Sequence, residues 1–253
     1  MDLKGKAAVV TGASSDGGTG AACARILASR GCNVVVNYAT NAAGADAIAA
    51  ECKAAGVEAI AVQADVANED DILAMFRTVD AQLGPLTALV NNAGVVDVAA
   101  RVDEMSVARL ERMFDINVLG SIICAREAVR RMSTKHGGHG GAIVNVSSAA
   151  SRLGSPGQYV DYAAAKGAID AFTLGLAKEV AAEGIRVNAV RPGLIETDIH
   201  ASGGIPDRVR QLQHLVPMQR GGSAQEVAQA IVWLLSPEAS YTTMSLVDVS
   251  GGR

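Results

Sequence analysis

Residues 6–20 read K-A-A-V-V-T-G-A-S-S-D-G-G-T-G, a short apolar run followed by a glycine-rich loop. Gly18-Thr19-Gly20 opens a segment of helical periodicity that reaches about Arg30. Glycines at a strand–loop–helix junction let the backbone approach a pyrophosphate, and the first turn of the helix offers free N–H groups. A plain tight turn is the alternative. The position at the first junction of the chain favours a dinucleotide-binding loop.

The rest of the chain continues this alternation of strand-like and helix-like segments. Further strands are predicted at 33–38, 57–63, 86–91, 142–147, 185–191 and 245–249, and helices at 42–55, 69–83, 107–132, 159–183 and 224–235. Strands separated by helices pair in parallel through right-handed crossovers. The sequence therefore predicts an α/β fold. We expect a single-domain, Rossmann-type, doubly wound, seven-stranded parallel sheet with helices on both faces over residues 1–253.

Composition and charge exclude several classes of protein. A net charge of -4 argues against nucleic acid as a partner. No apolar run approaches the roughly 20 residues that span a bilayer, and M-D-L-K-G-K leads directly into a strand without a signal peptide. The four cysteines lack metal-ligand spacing, and the four histidines form no HxxxH pair. We therefore expect no metal site, no membrane segment and a reducing, cytoplasmic environment.

The stretch 147–166 contains a tyrosine and a lysine four residues apart, Tyr162 and Lys166, in an alanine-rich helical segment. Residues at this spacing share a helix face. A cation at about 4 Å, with an effective dielectric constant near 20, favours a phenolate by roughly 4 kcal/mol. That would lower the pKa of a tyrosine by up to about 3 units from about 10. The spacing is typical of an acid–base tyrosine, although a surface lysine beside a packing tyrosine has the same pattern.

Three further motifs follow predicted strands. Asp65-Val66 comes after the third strand, where Asp65 could accept a bond from an adenine amino group or cap the helix that begins at Glu69. The stretches N-N-A-G at 91–94 and P-G-L-I-E-T at 192–197 follow the fourth and sixth strands, and each alone would also suit a turn. Ligands of such sheets bind outside the carboxyl ends of the strands. We therefore expect these motifs to meet at one site.

In this order, the motifs TGx₅GxG, DV, NNAG, Sx₁₃Yx₃K and PGx₃T resemble those of the short-chain dehydrogenase/reductase family over essentially the whole chain. The N-Y-A after the second strand and the ending S-L-V-D-V-S-G-G most resemble the acyl-carrier-protein reductase and glucose dehydrogenase branch. The resemblance implies an NAD(P)-dependent oxidoreductase that acts on a small-molecule carbonyl or secondary alcohol. A dinucleotide-binding regulatory or scaffold protein without turnover is the alternative. The cofactor-binding half would cover about 1–135 and the catalytic half about 136–253.

The resemblance also implies the catalytic roles. Tyr162 would be the general acid in carbonyl reduction and the base in alcohol oxidation, while Lys166 would hold the nicotinamide ribose and lower the pKa of Tyr162. Ser148 would hydrogen-bond the substrate oxygen. Asn117, in F-D-I-N-V-L-G, would anchor a water that relays protons to Lys166.

Two neighbours compete for these roles. Ser147 competes with Ser148, since adjacent residues at a strand end face opposite ways. Tyr159 is a second phenol, but it lies seven residues from Lys166 and lacks the family spacing.

The same resemblance implies the cofactor contacts, which lie at the strand ends. They are Gly12, Ser14, Gly18, Thr19, Gly20, Asn37, Tyr38, Asp65, Val66, Asn92, Ala93, Gly94, Tyr162, Lys166, Pro192, Gly193, Ile195 and Thr197. NAD-preferring members carry an acidic residue at the end of the second strand. Here Tyr38 occupies that position, so NADP is favoured over NAD, with Ser14 and Asn37 as candidate phosphate contacts. No Arg or Lys lies there to bind a phosphate, and Asp16 would disfavour one.

The chain departs from the family pattern at three places. Five residues, with Asp16 among them, separate Gly12 from Gly18, where three are usual. The spacing from Ser148 to Tyr162 is one residue longer than usual. Met244 replaces a common glycine, with an effect that we expect to be local.

The segment 198–217 is predicted to form a lobe over the substrate, with Gly203-Gly204 as a hinge and with Arg208 and Arg210 facing water. A solvated connecting helix is the alternative for this segment. By resemblance we also expect a homo-oligomer, either a tetramer or a dimer, that pairs the helices 107–132 and 159–182.

Overall fold

The computed structural model describes residues 3–253, apart from the side chains of residues 200 and 202. Within these residues, seven parallel strands form one sheet in the order β3-β2-β1-β4-β5-β6-β9. The strands are β1 (Ala7–Val10), β2 (Asn33–Tyr38), β3 (Ala59–Gln63), β4 (Ala88–Asn91), β5 (Gly141–Val146), β6 (Ile185–Pro192) and β9 (Leu246–Val249). The order reverses between β1 and β4, so the predicted doubly wound sheet is confirmed.

Helices cover both faces of the sheet. They are α1 (Thr19–Ser29), α2 (Ala42–Ala54), α3 (Glu69–Gln82), α4 (Val107–Phe114), α5 (Gly120–Met132), α6 (Ala150–Leu153), α7 (Val160–Val180), α8 (Ile199–Ser202), α9 (Arg208–Leu212) and α10 (Ala224–Leu235). One core lies between the sheet and α1, α2 and α10, and the other lies between the sheet and α3, α5 and α7. None of these helices combines the length and apolarity needed to cross a bilayer.

Valine runs explain why both cores form around the same strands. In β2, Val34 and Val36 pack into the first core and Val35 into the second. Side chains alternate between the two faces of a strand, so a continuous run of β-branched residues suits a strand that is buried on both faces. The predicted bounds of β2 and α10 agree with the structure, whereas β3 and β4 each begin two residues later than predicted.

The predicted continuous helix at 107–132 is wrong at its centre. A π-helical turn, Asp115–Leu119, separates α4 from α5. Asn117 lies in this turn, and its side-chain nitrogen donates to the backbone carbonyls of Met113 and Val95, each at 3.0 Å. When a side chain hydrogen-bonds a helix carbonyl, it disturbs the regular i→i−4 backbone hydrogen bonds. π-helical turns of this kind are common at functional sites.

The segment at 198–217 contains the two short helices α8 and α9 in place of one connecting helix. Two short strands flank it, β7 (Ile195–Glu196) and β8 (Gly222–Ser223), which pair in parallel. None of these elements is long enough to show a periodicity in the sequence. Met244 adopts a φ of +63°, a left-handed conformation that explains the glycine usual at this position.

Candidate active site

The glycine loop has the predicted register, because α1 begins at Thr19 with Gly18 as its N-cap. A Cβ on Gly12, which has a φ of +61°, would lie 2.8 Å from the Cα of Ala93. A Cβ on Gly20 would lie 2.6 Å from Nδ2 of Asn92 and 2.8 Å from the carbonyl oxygen of Gly12. Gly18 provides no side-chain cap to the first-turn amides. A tightly packed loop that leads into an uncapped helix N-terminus fits the pyrophosphate of a dinucleotide.

The two additional residues of the loop form a turn in which the amide of Gly18 donates to the carbonyl of Ser15 at 2.9 Å. The side chain of Asp16 is 90% exposed and pairs with Arg25, which also pairs with Glu51 at 2.6 Å. The carboxylate therefore points away from the helix N-terminus. The hydroxyl of Ser15 donates to the carboxylate of Asp198, so the lengthened loop contacts the start of the lobe.

Asp16→Asn should tighten cofactor binding by a factor of about two or less. An exposed carboxylate at about 8 Å from a phosphate, with a dielectric constant near 80, contributes about 0.5 kcal/mol, which is about a twofold effect. The gain should shrink further in salt. Calorimetric titration with NADP at low and high ionic strength measures it.

Gly20→Val is the contrasting variant, because a branched side chain would collide with Asn92 and with the carbonyl of Gly12. It should weaken cofactor binding far more than Asp16→Asn strengthens it. A tenfold or larger gain from Asp16→Asn would show that the carboxylate faces the cofactor.

The N-N-A-G motif is tied directly to the glycine loop. The hydroxyl of Thr11 accepts from the amides of Asn92 and Ala93, each at 3.0 Å. The side-chain amide of Asn92 donates to the carbonyls of Thr11 at 2.8 Å and Gly12 at 2.9 Å. Thr11 was not among the predicted contacts, although its position beside Gly12 in the sequence was the available signal.

Asn37 does not have the position expected of a phosphate contact. Its side chain is buried, its oxygen accepts from the amide of Gly12 at 3.1 Å, and its nitrogen donates to the carbonyl of Ala64 at 3.0 Å. Asn37 therefore stabilises the backbone of the glycine loop from the buried side. Ser14 and Tyr38 are half-buried at this edge and remain candidate contacts for the ribose phosphate.

Asp65 is exposed, and its carboxylate accepts from the amide of Ala67 at 2.9 Å. Asn68, and not Asp65, caps α3 by accepting from the amides of Asp70 and Asp71. The helix-cap alternative for Asp65 is therefore wrong. Val66 is buried.

The structure brings Ser148, Tyr162 and Lys166 together at the carboxyl end of β5. Ser148 lies close enough to Tyr162 for its hydroxyl to lower the pKa of the phenol, and the ammonium nitrogen of Lys166 lies 5.5 Å from the centroid of the Tyr162 ring. Ser147 faces the opposite way, because its buried hydroxyl donates to the backbone carbonyl of Lys166 at 3.1 Å. This arrangement favours Ser148 over Ser147 as the substrate contact.

The pKa of Tyr162 differs from the sequence expectation. Burial raises the pKa of its phenol, and the bond from Ser148 lowers it only in part. Lys166 donates to the carbonyl of Val146 at 2.9 Å and not to the phenol. The structure therefore differs from the predicted lowering of the Tyr162 pKa by Lys166: loss of hydration raises this pKa, and only Ser148 opposes the shift.

Lys166 is itself almost completely buried. Burial lowers the pKa of its ammonium to about 8, and the nearby carboxylate of Asp170 opposes this shift. At neutral pH the side chain is therefore mostly protonated, as a donor to ribose hydroxyls requires.

Asn117 reaches the site through the π turn. It is fully buried, and its oxygen accepts from the amide of Val95 at 3.3 Å. A Cβ on Gly94 would lie 2.7 Å from this oxygen and 3.4 Å from the ammonium nitrogen of Lys166. Glycine at 94 therefore leaves open the space where the Asn117 amide and the Lys166 ammonium converge.

The P-G motif lies at the carboxyl end of β6, where its backbone bonds to residues at the ends of neighbouring strands. The carbonyl of Pro192 accepts from the amide of Ala149 at 2.9 Å, and the amide of Gly193 donates to the carbonyl of Val249 at 3.0 Å. Ile195 is buried in the first core, so only its backbone can reach a cofactor. Thr197 lines a cleft of about 550 Å³ between the glycine loop and the lobe.

Two features of the site were not predicted as such. Asp161, one residue before Tyr162, is buried and pairs with Arg109 at 2.8 Å, which anchors the start of α7 to α4. A lone carboxylate in an alanine-rich helix was the available signal. The hydroxyl of Tyr159 donates to the carbonyl of Gly203 at 3.2 Å, so this second phenol hydrogen-bonds the lobe at 198–217. Within the described residues, no three His, Cys, Asp or Glu side chains are grouped as metal ligands.

Known proteins resemble this chain over nearly its whole length. A family model described as enoyl-(acyl carrier protein) reductase matches residues 12–253. The chain is 54% identical over 97% of its length to the uncharacterized oxidoreductase YgfF of Escherichia coli (strain K12), of which it covers 99%. It is 38% identical over 99% of its length to glucose 1-dehydrogenase 2 of Bacillus subtilis (strain 168), of which it covers 95%.

Among solved structures, a short chain dehydrogenase from Burkholderia cenocepacia J2315 in complex with NADP aligns with a TM-score of 0.90 at 31% identity, over 100% of this chain and 99% of that one. The chain therefore belongs to the short-chain dehydrogenase/reductase family. The protein is an NAD(P)-dependent oxidoreductase that acts on CH–OH and C=O groups, and the comparisons do not support the alternative of a protein without turnover.

Proposed function

We propose that the protein reduces a small carbonyl compound with Tyr162 as the proton donor, and that Ser148, Lys166 and Asn117 complete the catalytic set. The observation that carries this proposal is the position of the Tyr162 ring beside the buried ammonium of Lys166, with Ser148 close enough to shift the pKa of the phenol. The raised pKa of Tyr162 keeps the phenol protonated at neutral pH, which suits carbonyl reduction.

Each side chain has one chemical task in this mechanism. The bound nicotinamide supplies the hydride that the carbonyl carbon gains. Ser148 donates a hydrogen bond to the carbonyl oxygen as negative charge develops there, and Tyr162 transfers its proton to that oxygen. The alcohol then leaves, and the phenolate recovers a proton by way of the Lys166 ammonium. A water held near Asn117 returns the proton to Lys166.

The residues at the strand ends fit a dinucleotide. The uncapped start of α1 would face the pyrophosphate, Lys166 would bind the nicotinamide ribose, and the exposed carboxylate of Asp65 would accept from the adenine amino group. We favour NADP over NAD, because Tyr38 replaces the acidic residue at the end of β2. The NADP complex of the Burkholderia cenocepacia relative supports the same choice.

Tyr38→Asp should shift the preference toward NAD. A carboxylate at this position would repel a 2′-phosphate and accept from the ribose hydroxyls. The ratio of kcat/KM for NADPH to kcat/KM for NADH measures the shift. Tyr38→Asn is the control, because it removes the ring without adding a charge. An unchanged ratio in Tyr38→Asp would show that residue 38 does not face the ribose.

A panel of aldehydes, ketones and secondary alcohols, assayed by absorbance at the nicotinamide band with each cofactor, tests the proposed function. We expect turnover with some members and a higher kcat/KM with NADPH. Cofactor binding without turnover for any member would contradict the proposal.

We also propose that the lobe at 198–217 covers the substrate, that the protein acts in the cytoplasm and that it is a homo-oligomer, a tetramer or a dimer. The four cysteines are buried and free, as suits a reducing compartment. Val107, Phe114 and Leu119 are exposed along the predicted helix-pairing surface, which supports association there.

A further inference from the structure

Arg208, at the start of α9, does not face water as the sequence suggested. Its guanidinium lies over the ring of Tyr159, 5.1 Å from the centroid, and the side chain is half-buried. One guanidinium nitrogen donates to the side-chain oxygen of Gln158 at 2.7 Å. Among the residues that the structure describes, Arg208 has no carboxylate partner. A cation that has lost much of its hydration therefore contacts only one neutral amide and one aromatic ring among the described residues.

Other arginines show how unusual this environment is. Arg210, two residues later, is 76% exposed and pairs with Asp207 at 2.8 Å. Arg186 is also half-buried, but its guanidinium donates to the backbone carbonyls of Leu234, Ser236 and Thr242. Burial lowers the pKa of Arg208, the nearby Tyr159 opposes this shift, and the positive charge of Arg253 adds to it. A guanidinium in such a place gains most from an anion that accepts two parallel N–H bonds.

The guanidinium lies beside the start of α7, the helix that carries Tyr162 and Lys166. The hydroxyl of Tyr159, under Arg208, holds the lobe through the carbonyl of Gly203, and a Cβ on Gly203 would lie 3.0 Å from a methyl group of Val96. Tyr159 is the N-cap residue of α7, and Tyr162 follows three residues later in the first turn of that helix. Arg208 therefore contacts the residue that immediately precedes the helix of the proposed proton donor.

We propose that Arg208 binds a carboxylate of the substrate, so that the substrate class is an oxo acid or hydroxy acid whose carboxylate lies several carbons from the reacting carbon. The inference rests on the proposed function of Tyr162. A carboxylate suits this position because it can accept two parallel N–H bonds from a single guanidinium fork.

The test compares straight-chain oxo acids with their own methyl esters, in wild type, Arg208→Gln, Arg208→Lys and Arg210→Gln. Wild type should show a higher kcat/KM for the acid than for the ester at the best chain length. Arg208→Gln should reduce kcat/KM for the acid about 10- to 100-fold, mainly through KM, and leave the ester nearly unchanged. Arg208→Lys should recover part of the loss, and the surface control Arg210→Gln should behave as wild type.

Loss of both acid and ester activity in Arg208→Gln at an unchanged melting temperature would overturn the proposal, as would a wild type with no preference for the acid. In either case, turnover of the esters in wild type would leave the proposed oxidoreductase function intact. Calorimetric binding of an unreactive straight-chain carboxylate to the NADP-loaded protein gives a readout without turnover. Binding that is equal in wild type and Arg208→Gln would also contradict the assignment.

Discussion

Tyr162→Phe should reduce kcat by about 10²- to 10⁴-fold or to background, because it removes the proton that the carbonyl oxygen must receive. The ring and its packing remain, so the affinity for NADP should change by no more than about twofold. Steady-state assays with the best substrate of the carbonyl panel, together with a cofactor titration, measure both quantities.

Tyr159→Phe is the matched control for this variant. It deletes the same phenolic oxygen three residues earlier, where that oxygen donates to the carbonyl of Gly203. The expected cost is that of one hydrogen bond, about 0.5–1.5 kcal/mol of stability, with turnover largely retained. Full activity in Tyr162→Phe would show that another group supplies the proton.

Lys166→Ala should damage cofactor binding and turnover together, because one buried ammonium serves both. Loss of charge-assisted hydrogen bonds to the ribose should weaken cofactor affinity about 10- to 100-fold. The loss in kcat should be at least as large, since the route that returns a proton to Tyr162 also passes through Lys166. Calorimetric titration and steady-state kinetics separate the two effects.

Two controls separate charge from packing. Lys166→Met keeps much of the buried side-chain volume without the cation, and Lys178→Ala removes an exposed lysine from the same helix. We expect Lys166→Met to behave as Lys166→Ala and Lys178→Ala to behave as wild type. Unchanged cofactor affinity in both Lys166 variants would show that this residue does not bind the ribose.

The sheet and most of its helices were predictable because local signals agreed with the global fold. The valine run at 33–38 suits a strand that is buried on both faces of the sheet. Ser223 and Glu226 form the capping box that starts α10. The motifs at the strand ends met as expected because parallel strands align their carboxyl ends.

The differences arise where distant parts of the chain decide the local outcome. The π turn at Asn117 depends on the carbonyl of Val95, which lies far away in the sequence. The direction of the Tyr162 pKa shift depends on burial, which a helix-face estimate leaves out. The roles of Asn37 and Arg208 likewise depend on which tertiary neighbour each side chain meets. Sequence patterns placed these residues near the site without determining their partners.

Transfer of deuterium from C4-deuterated NADPH to the best ketone of the panel tests the central claim most directly. Mass spectrometry of the alcohol should find one deuterium on the carbinol carbon with the wild-type protein, and only background product with Tyr162→Phe. An alcohol without deuterium, or deuterated product formed by Tyr162→Phe at the wild-type rate, would contradict hydride transfer coupled to proton donation by Tyr162.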